Sequence, residues 1–112
     1  LISPVPSHAW ESLVATNPGV ALDPGSNCVH LVYRACGADD VRAVSRLGHA
    51  VSSDGLRFER HPDPVLSPDE SGYDSGMLED PRLHFIEGDC WLTYATRPYP
   101  SGQYWLGDAR PW

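Results

Sequence analysis

The residues best suited to chemistry form one short block, Glu79-Asp80-Pro81-Arg82. Pro81 fixes its own φ and favours an extended conformation at Asp80. The backbone that carries the two carboxylates is therefore restricted, and their side chains project in defined directions. The block precedes a predicted strand, in which neighbours face opposite sides. Glu79 and Asp80 are therefore expected to have different partners. Arg82 is expected to share a side with Asp80 and to bind either its carboxylate or a substrate hydroxyl. Such a group suits sugar chemistry; a strand-entry turn with a local ion pair is the alternative.

Three further segments place polar residues where strands and turns meet. Asn17-Pro18-Gly19 is a turn that leads into a strand. Arg34 ends an apolar run and faces either solvent or a central cleft. Ser53-Asp54-Gly55 is most simply a hairpin turn.

Cysteine and histidine spacings favour neither a metal site nor a redox motif. The three cysteines contain no CxxC pair, and the five histidines lack the usual ligand spacing. We expect the cysteines to be small buried hydrophobes in a reducing compartment, and the protein to be cytoplasmic. No cofactor is predicted.

Charge and hydropathy exclude several classes of partner. The net charge is −7, and the eight basic residues are scattered arginines with no lysine, which argues against nucleic-acid binding. No apolar run approaches the roughly 20 residues that cross a bilayer, so no membrane association is expected. The sequence leaves a homo-oligomer open.

The elements that must position the polar residues are predicted to be strands. Apolar runs at 28–33 and 47–52, with a continuation at 56–59 beyond the Asp54-Gly55 turn, alternate with turn signals. A further hairpin is expected from strands at 83–86 and 90–94. The proline-rich stretch from 62 to 72 is predicted to be a loop, and the fold class is all-β.

A weak internal repeat relates the two ends of the chain. Asn17-Pro18-x-Val20-x-Leu22 parallels Asp80-Pro81-x-Leu83-x-Phe85, and each segment is followed by a glycine and an apolar run that reaches a tyrosine. Repeated antiparallel strands are typical of propeller blades, which take roughly 40–50 residues each and number at least four. The chain of 112 residues therefore holds about two blades, and we expect residues 1–112 to be the N-terminal part of a propeller catalytic domain.

Taken in order, these segments resemble glycoside hydrolase family 130. The resemblance runs from about Thr16 to Arg97, and its most specific part is the Glu-Asp-Pro-Arg block at its distance from the Ser-Asp-Gly hairpin. Gly76 lies three residues before Glu79, whereas the family usually has a glycine two residues before that position. The resemblance implies a five-bladed β-propeller that acts on β-mannosides, of which this chain covers roughly the first two blades.

The resemblance also implies roles for individual residues. Asp80 would be the general acid, whose proton reaches the glycosidic oxygen through the mannose 3-hydroxyl while phosphate attacks the anomeric carbon. The residues implied to hold the substrate are Asn17, Arg34, Asp54, Glu79, Arg82 and, with less support, Tyr94.

Three functions follow from this interpretation. The first is inverting phosphorolysis of β-mannosides to α-mannose 1-phosphate and a shortened acceptor, with a β-mannoside oligosaccharide and inorganic phosphate as partners. The second is hydrolysis by a β-mannosidase. The third is a non-catalytic propeller fragment, or a sugar-binding or assembly module.

Overall fold

The computed structural model describes residues 2–40, 44–69 and 76–97, and these residues form β-strands with one short 3₁₀ helix, Ala9–Glu11. The strands are β1 Val14–Leu22, β2 Val29–Cys36, β3 Arg46–Ser52, β4 Glu59–Arg60, β5 Met77–Ile86 and β6 Asp89–Arg97. The predicted all-β fold class is confirmed for this part of the chain. No helix in it is long and apolar enough to span a membrane.

The strands form two antiparallel sheets that pack together. β1 to β4 make a four-stranded sheet in chain order, and β5 and β6 make a hairpin. The core between the sheets is a buried cluster of Val32, Leu47, Leu78 and Leu83. The strands described here do not by themselves close into a ring.

The N-terminal segment covers part of the other face of the four-stranded sheet, which the sequence patterns did not predict. Trp10 stacks on Tyr33 with ring centroids 6.3 Å apart. Glu11 is fully buried, accepts a 2.8 Å hydrogen bond from the Tyr33 hydroxyl and pairs with Arg60 at 2.6 Å. Burial and the Glu11 carboxylate raise the pKa of Tyr33. This network fastens the segment to β2.

Two strand predictions need correction at their ends. β5 begins at Met77, so the block from Glu79 to Arg82 lies inside the strand rather than before it. β2 continues to Cys36, so Arg34 lies within the strand. In each case pairing with the neighbouring strand extends beyond the apolar run.

A third correction concerns the segment after the Asp54-Gly55 turn. The predicted strand from 56 to 59 is reduced to Glu59–Arg60. The Asp54 carboxylate accepts hydrogen bonds from the backbone N–H groups of Leu56 and Arg57, each at 2.8 Å. Those two donors belong to the turn and are not available to a sheet. The loop predicted at 62–72 is confirmed for residues 62–69, apart from one bridge between Leu66 and Leu47, and residues 70–72 lie outside the described part.

Candidate active site

Two β-bulges present the polar residues of the site. The register shifts between Thr16 and Gly19 in β1 and between Glu79 and Arg82 in β5. At the two bulges Asn17 and Asp80 adopt left-handed backbone conformations, with φ of 47° and 49°. Asn and Asp tolerate this region better than other residues with a Cβ, but the following proline restricts it further. Backbone strain of this kind clusters at functional sites.

The bulges confirm that the internal repeat is structural. Asn17 and Asp80 are 63 residues apart, and each is followed by a proline inside a paired strand. Tyr33 lies opposite the first bulge and Tyr94 opposite the second. The connection from β1 to β2 spans residues 23–28 and the one from β5 to β6 only 87–88, which accommodates the shorter spacing at the tyrosines.

The repeated bulges meet across the two sheets. The Asn17 side-chain amide donates a 2.7 Å hydrogen bond to Oδ1 of Asp80. Its oxygen in turn accepts a 3.0 Å hydrogen bond from the Thr16 hydroxyl, which fixes the direction of the amide. Asn17 and Asp80 are both exposed in the described part of the chain. The contact therefore lies at an open edge where a ligand can approach.

Gly19 permits this close approach of β1 to β5. A Cβ built on Gly19 would overlap the Pro81 carbonyl oxygen and lie 2.9 Å from the carbonyl carbon. The obstacle is backbone rather than a flexible side chain, so only glycine fits without displacement of the strands.

Glu79 lies between two arginines. Its side chain is 7% exposed, and its two carboxylate oxygens pair with Arg34 and with Arg97, each at 3.0 Å. The prediction that Glu79 and Asp80 have different partners is thereby confirmed. Sequence patterns did not single out Arg97, which lies three residues beyond the strand predicted at 90–94; β6 continues to this residue.

The remaining predicted site residues have other contacts. Arg82 donates to the Pro81 carbonyl oxygen at 2.8 Å, and within the described residues it makes no hydrogen bond to Asp80. The expected contact with the Asp80 carboxylate is therefore wrong, whereas the alternative contact with a substrate hydroxyl stays a prediction. The bulge adds a residue and thereby breaks the alternation on which the expectation depended. Tyr94 is half-buried and packs against the core between the sheets.

Asp54 does not join this group. It follows Ser52, which pairs with Val29, whereas the Asn17 bulge lies opposite Tyr33, about 13 Å further along β2. The hydrogen bonds from Arg57, Leu56 and Ser52 lower the pKa of Asp54. The contacts of Asp54 are thus those of a turn residue, and its predicted role in holding substrate stays a prediction.

The described residues contain no group of three or more His, Cys, Asp or Glu side chains arranged to hold a metal ion. The polar groups that the structure brings together are carboxylates, guanidinium groups and one amide. This set of donors and acceptors suits a ligand rich in hydroxyl groups, with an acid beside it.

Comparisons with known proteins identify the family. The profile of glycoside hydrolase family 130, described as beta-1,4-mannooligosaccharide phosphorylase, matches residues 7–107. The chain belongs to this family.

Two curated relatives come from Thermoanaerobacter sp. (strain X514). The chain is 33% identical over 116 residues to a beta-1,2-mannobiose phosphorylase, covering 95% of this chain and 36% of the relative. It is 36% identical over 98 residues to a 1,2-beta-oligomannan phosphorylase, covering 84% of this chain and 32% of the relative. The chain thus spans about a third of the length of these relatives.

A solved structure agrees with the assignment. It was reported with the finding that the GH130 family of mannoside phosphorylases contains glycoside hydrolases that target beta-1,2 mannosidic linkages in Candida mannan. The match has a TM-score of 0.71 and 29% identity, and covers 90% of this chain and 32% of that one.

Proposed function

We propose that the intact protein is an inverting β-mannoside phosphorylase on a five-bladed β-propeller, whose first two blades contain these strands. It would convert a β-mannoside and phosphate into α-mannose 1-phosphate and a shortened acceptor. The family membership and the two phosphorylase relatives support this reaction class. The observation that carries the proposal for this chain is the contact of Asn17 with Asp80, which joins the two repeated bulges at an exposed edge.

Asp80 is the proposed general acid. In the reaction a phosphate oxygen forms a bond to the anomeric carbon, and the bond from that carbon to the leaving oxygen breaks. The leaving oxygen receives a proton that originates from Asp80, so the acceptor departs as an alcohol and Asp80 is left as a carboxylate. By resemblance to the family, the proton passes through the mannose 3-hydroxyl.

Arg34 and Glu79 are proposed to hold the sugar beside this acid. The Arg34 side chain, which pairs with Glu79, retains 25% exposure. Guanidinium groups fixed by a buried carboxylate present their remaining N–H donors in a defined direction. Such donors can bind sugar hydroxyl groups without first losing rotamer entropy.

The test is an assay of the intact protein on β-1,2- and β-1,4-mannobiose with and without phosphate. We expect mannose 1-phosphate to appear only with phosphate, and Asp80→Asn to reduce turnover by about 100-fold or more, as expected for loss of a general acid. Asp63→Asn, at an exposed carboxylate in the loop after β4, is the matched control. Mannose released without phosphate, and no mannose 1-phosphate with it, would contradict phosphorolysis.

Hydrolysis is the second candidate, because the solved structure described above was reported together with family members that are glycoside hydrolases. In that reaction water takes the place of phosphate at the anomeric carbon, while Asp80 has the same role. The same assay distinguishes the two, since hydrolysis yields free mannose whether or not phosphate is present.

A further inference from the structure

The carboxylate of Asp80 has one oxygen engaged and one available. Oδ1 accepts the 2.7 Å hydrogen bond from the Asn17 amide. Within the described residues Oδ2 has no such partner. An N–H donor at Oδ1 favours a proton on Oδ2, because the unprotonated oxygen of a carboxyl group is the better hydrogen-bond acceptor.

The Asn17 amide is itself held in one orientation. Thr16 donates its hydroxyl hydrogen to the amide oxygen at 3.0 Å, so the amide nitrogen is the atom that faces Asp80. The left-handed conformation at Asn17 and the adjacent proline restrict the backbone from which the amide projects. A short chain of contacts from β1 thus reaches the bulge of β5.

We propose that Asn17 is a positioning residue that holds Asp80 through Oδ1 and leaves Oδ2 as the oxygen that delivers the proton. This deepens the proposed function and rests on it, because it presumes that Asp80 acts as an acid. It assigns Asn17 a different role from the sugar contact that the family resemblance implies. The specific consequence is that loss of Asn17 should impair proton donation more than sugar binding.

Leaving-group dependence separates these roles in the intact protein. A 2,4-dinitrophenyl leaving group needs no proton, whereas a mannosyl leaving group does. For Asn17→Gly we expect kcat to fall about 10- to 100-fold with β-mannobiose, because a misplaced catalytic group has an effect of this size. With 2,4-dinitrophenyl β-mannoside we expect a fall of less than about threefold, since only positioning of the acid is lost.

Asn27→Gly is the matched control. Asn27 also has a left-handed backbone, with φ of 55°, but lies in the turn between β1 and β2. The same substitution there should leave kcat unchanged with both substrates. Thr16→Val removes only the hydroxyl. It should also lower kcat more with β-mannobiose than with 2,4-dinitrophenyl β-mannoside, but by a smaller factor than Asn17→Gly. Equal losses on both substrates in Asn17→Gly, or a rise in KM with kcat unchanged, would overturn the positioning role.

A spectroscopic measurement tests the contact without reference to activity. The side-chain amide resonances of Asn17, assigned by their disappearance in Asn17→Asp, should move in Asp80→Ala and stay in place in Asp63→Ala. Resonances unchanged by Asp80→Ala would overturn the proposal. If they move but the intact protein shows no activity on β-mannosides, the contact stands and the proposed function fails.

Discussion

At the residue scale, Glu79 combines burial with charge. Its carboxylate contacts the guanidinium groups of Arg34 and Arg97. A buried carboxylate strongly destabilises the folded state unless it is paired with opposite charge. The loss of stability when a partner is removed therefore depends more on the desolvation of the Glu79 carboxylate than on the attraction within either pair. Removal of one arginine leaves the other to compensate alone.

We expect Arg34→Met to lower the free energy of unfolding by about 1–3 kcal/mol, less than for complete loss of partners because Arg97 remains. Urea denaturation of the intact protein measures this. Arg46→Met is the control, since Arg46 pairs at 3.0 Å with Asp39, whose side chain is 29% exposed compared with 7% for Glu79. Loss of this pair should change stability by less than about 1 kcal/mol. Equal effects of the two substitutions would show that Glu79 is well solvated.

His30 of β2 and His49 of β3 form a histidine pair. Nδ1 of His30 lies 3.1 Å from Nε2 of His49, and the His30 and Phe85 rings meet in an edge-to-face arrangement with centroids 5.8 Å apart. Burial, followed by the charges of His30 and His61, lowers the pKa of His49. One of the two nitrogens donates to the other, and a positive charge on the partly buried His49 is unfavourable.

Stability should therefore depend on pH below about 6.5, the ordinary pKa of histidine. The unfolded state binds protons at His49 more readily than the folded state, so the stabilisation is present above that pH and is lost as the pH falls. Thermal unfolding of the intact protein should show a smaller decline towards pH 5 in His49→Gln. The exposed His84 provides the control: an equal effect of His84→Gln would contradict the assignment.

At the scale of elements, the approach of β1 to β5 decides whether the two bulges meet. The strands are close enough for backbone contact at Gly19, and the core cluster of Val32, Leu47, Leu78 and Leu83 lies beside this point. Leu78 and Leu83 belong to the same cluster although they are five residues apart. Strict alternation would place them on opposite faces of β5. The bulge at Asp80 adds one residue to the strand, so both side chains face the core.

Gly19→Ala should push β1 and β5 apart and separate Asn17 from Asp80. We expect a loss of stability of about 1–3 kcal/mol, typical of overpacking, together with reduced turnover. Gly25→Ala is the control, because the nearest atom to a Cβ there would be an Asp23 carboxylate oxygen at 3.3 Å, at the end of a flexible side chain. A stable Gly19→Ala protein with unchanged kcat would show that the strands can separate without harm to the site.

At the scale of the whole molecule, both sheets leave apolar side chains exposed. Val20 and Leu22 are 54% and 55% exposed on β1, and Ile86 and Trp91 are 54% and 58% exposed on the hairpin. Sheets in repeat folds cover such faces with neighbouring repeats. The relatives are about three times as long as the region that matches this chain.

We accordingly expect the 112-residue chain, produced on its own, to self-associate. Analytical ultracentrifugation over a concentration series measures this, and Trp91→Arg combined with Val20→Lys should reduce it. Exposed Glu87→Lys, which adds charge without removing apolar surface, is the control. A chain that is folded and monomeric at high concentration would contradict the need for further repeats.

Local patterns were sufficient for part of this structure. Apolar runs and turn residues predicted the strands at 28–33, 47–52, 83–86 and 90–94, because hydrophobic burial and turn chemistry depend on neighbours in sequence. The Asn-Pro and Asp-Pro segments were identified as equivalent, although the bulges themselves were not predicted, and the Glu-Asp-Pro-Arg block pointed to the family. The strand predicted at 56–59 is reduced to Glu59–Arg60 because the Asp54 carboxylate binds the backbone N–H groups of Leu56 and Arg57 in the turn.

The sequence by itself thus determined an all-β chain of two related units, the residues of its polar block and its family. Only the tertiary structure decided which of those residues meet: Asn17 with Asp80, and Glu79 with Arg34 and the overlooked Arg97. Each bulge reverses the alternation of its strand, so side-chain directions beyond it cannot be read from spacing. A contact between residues 63 positions apart depends in addition on how two sheets pack, which is a property of the core rather than of either segment.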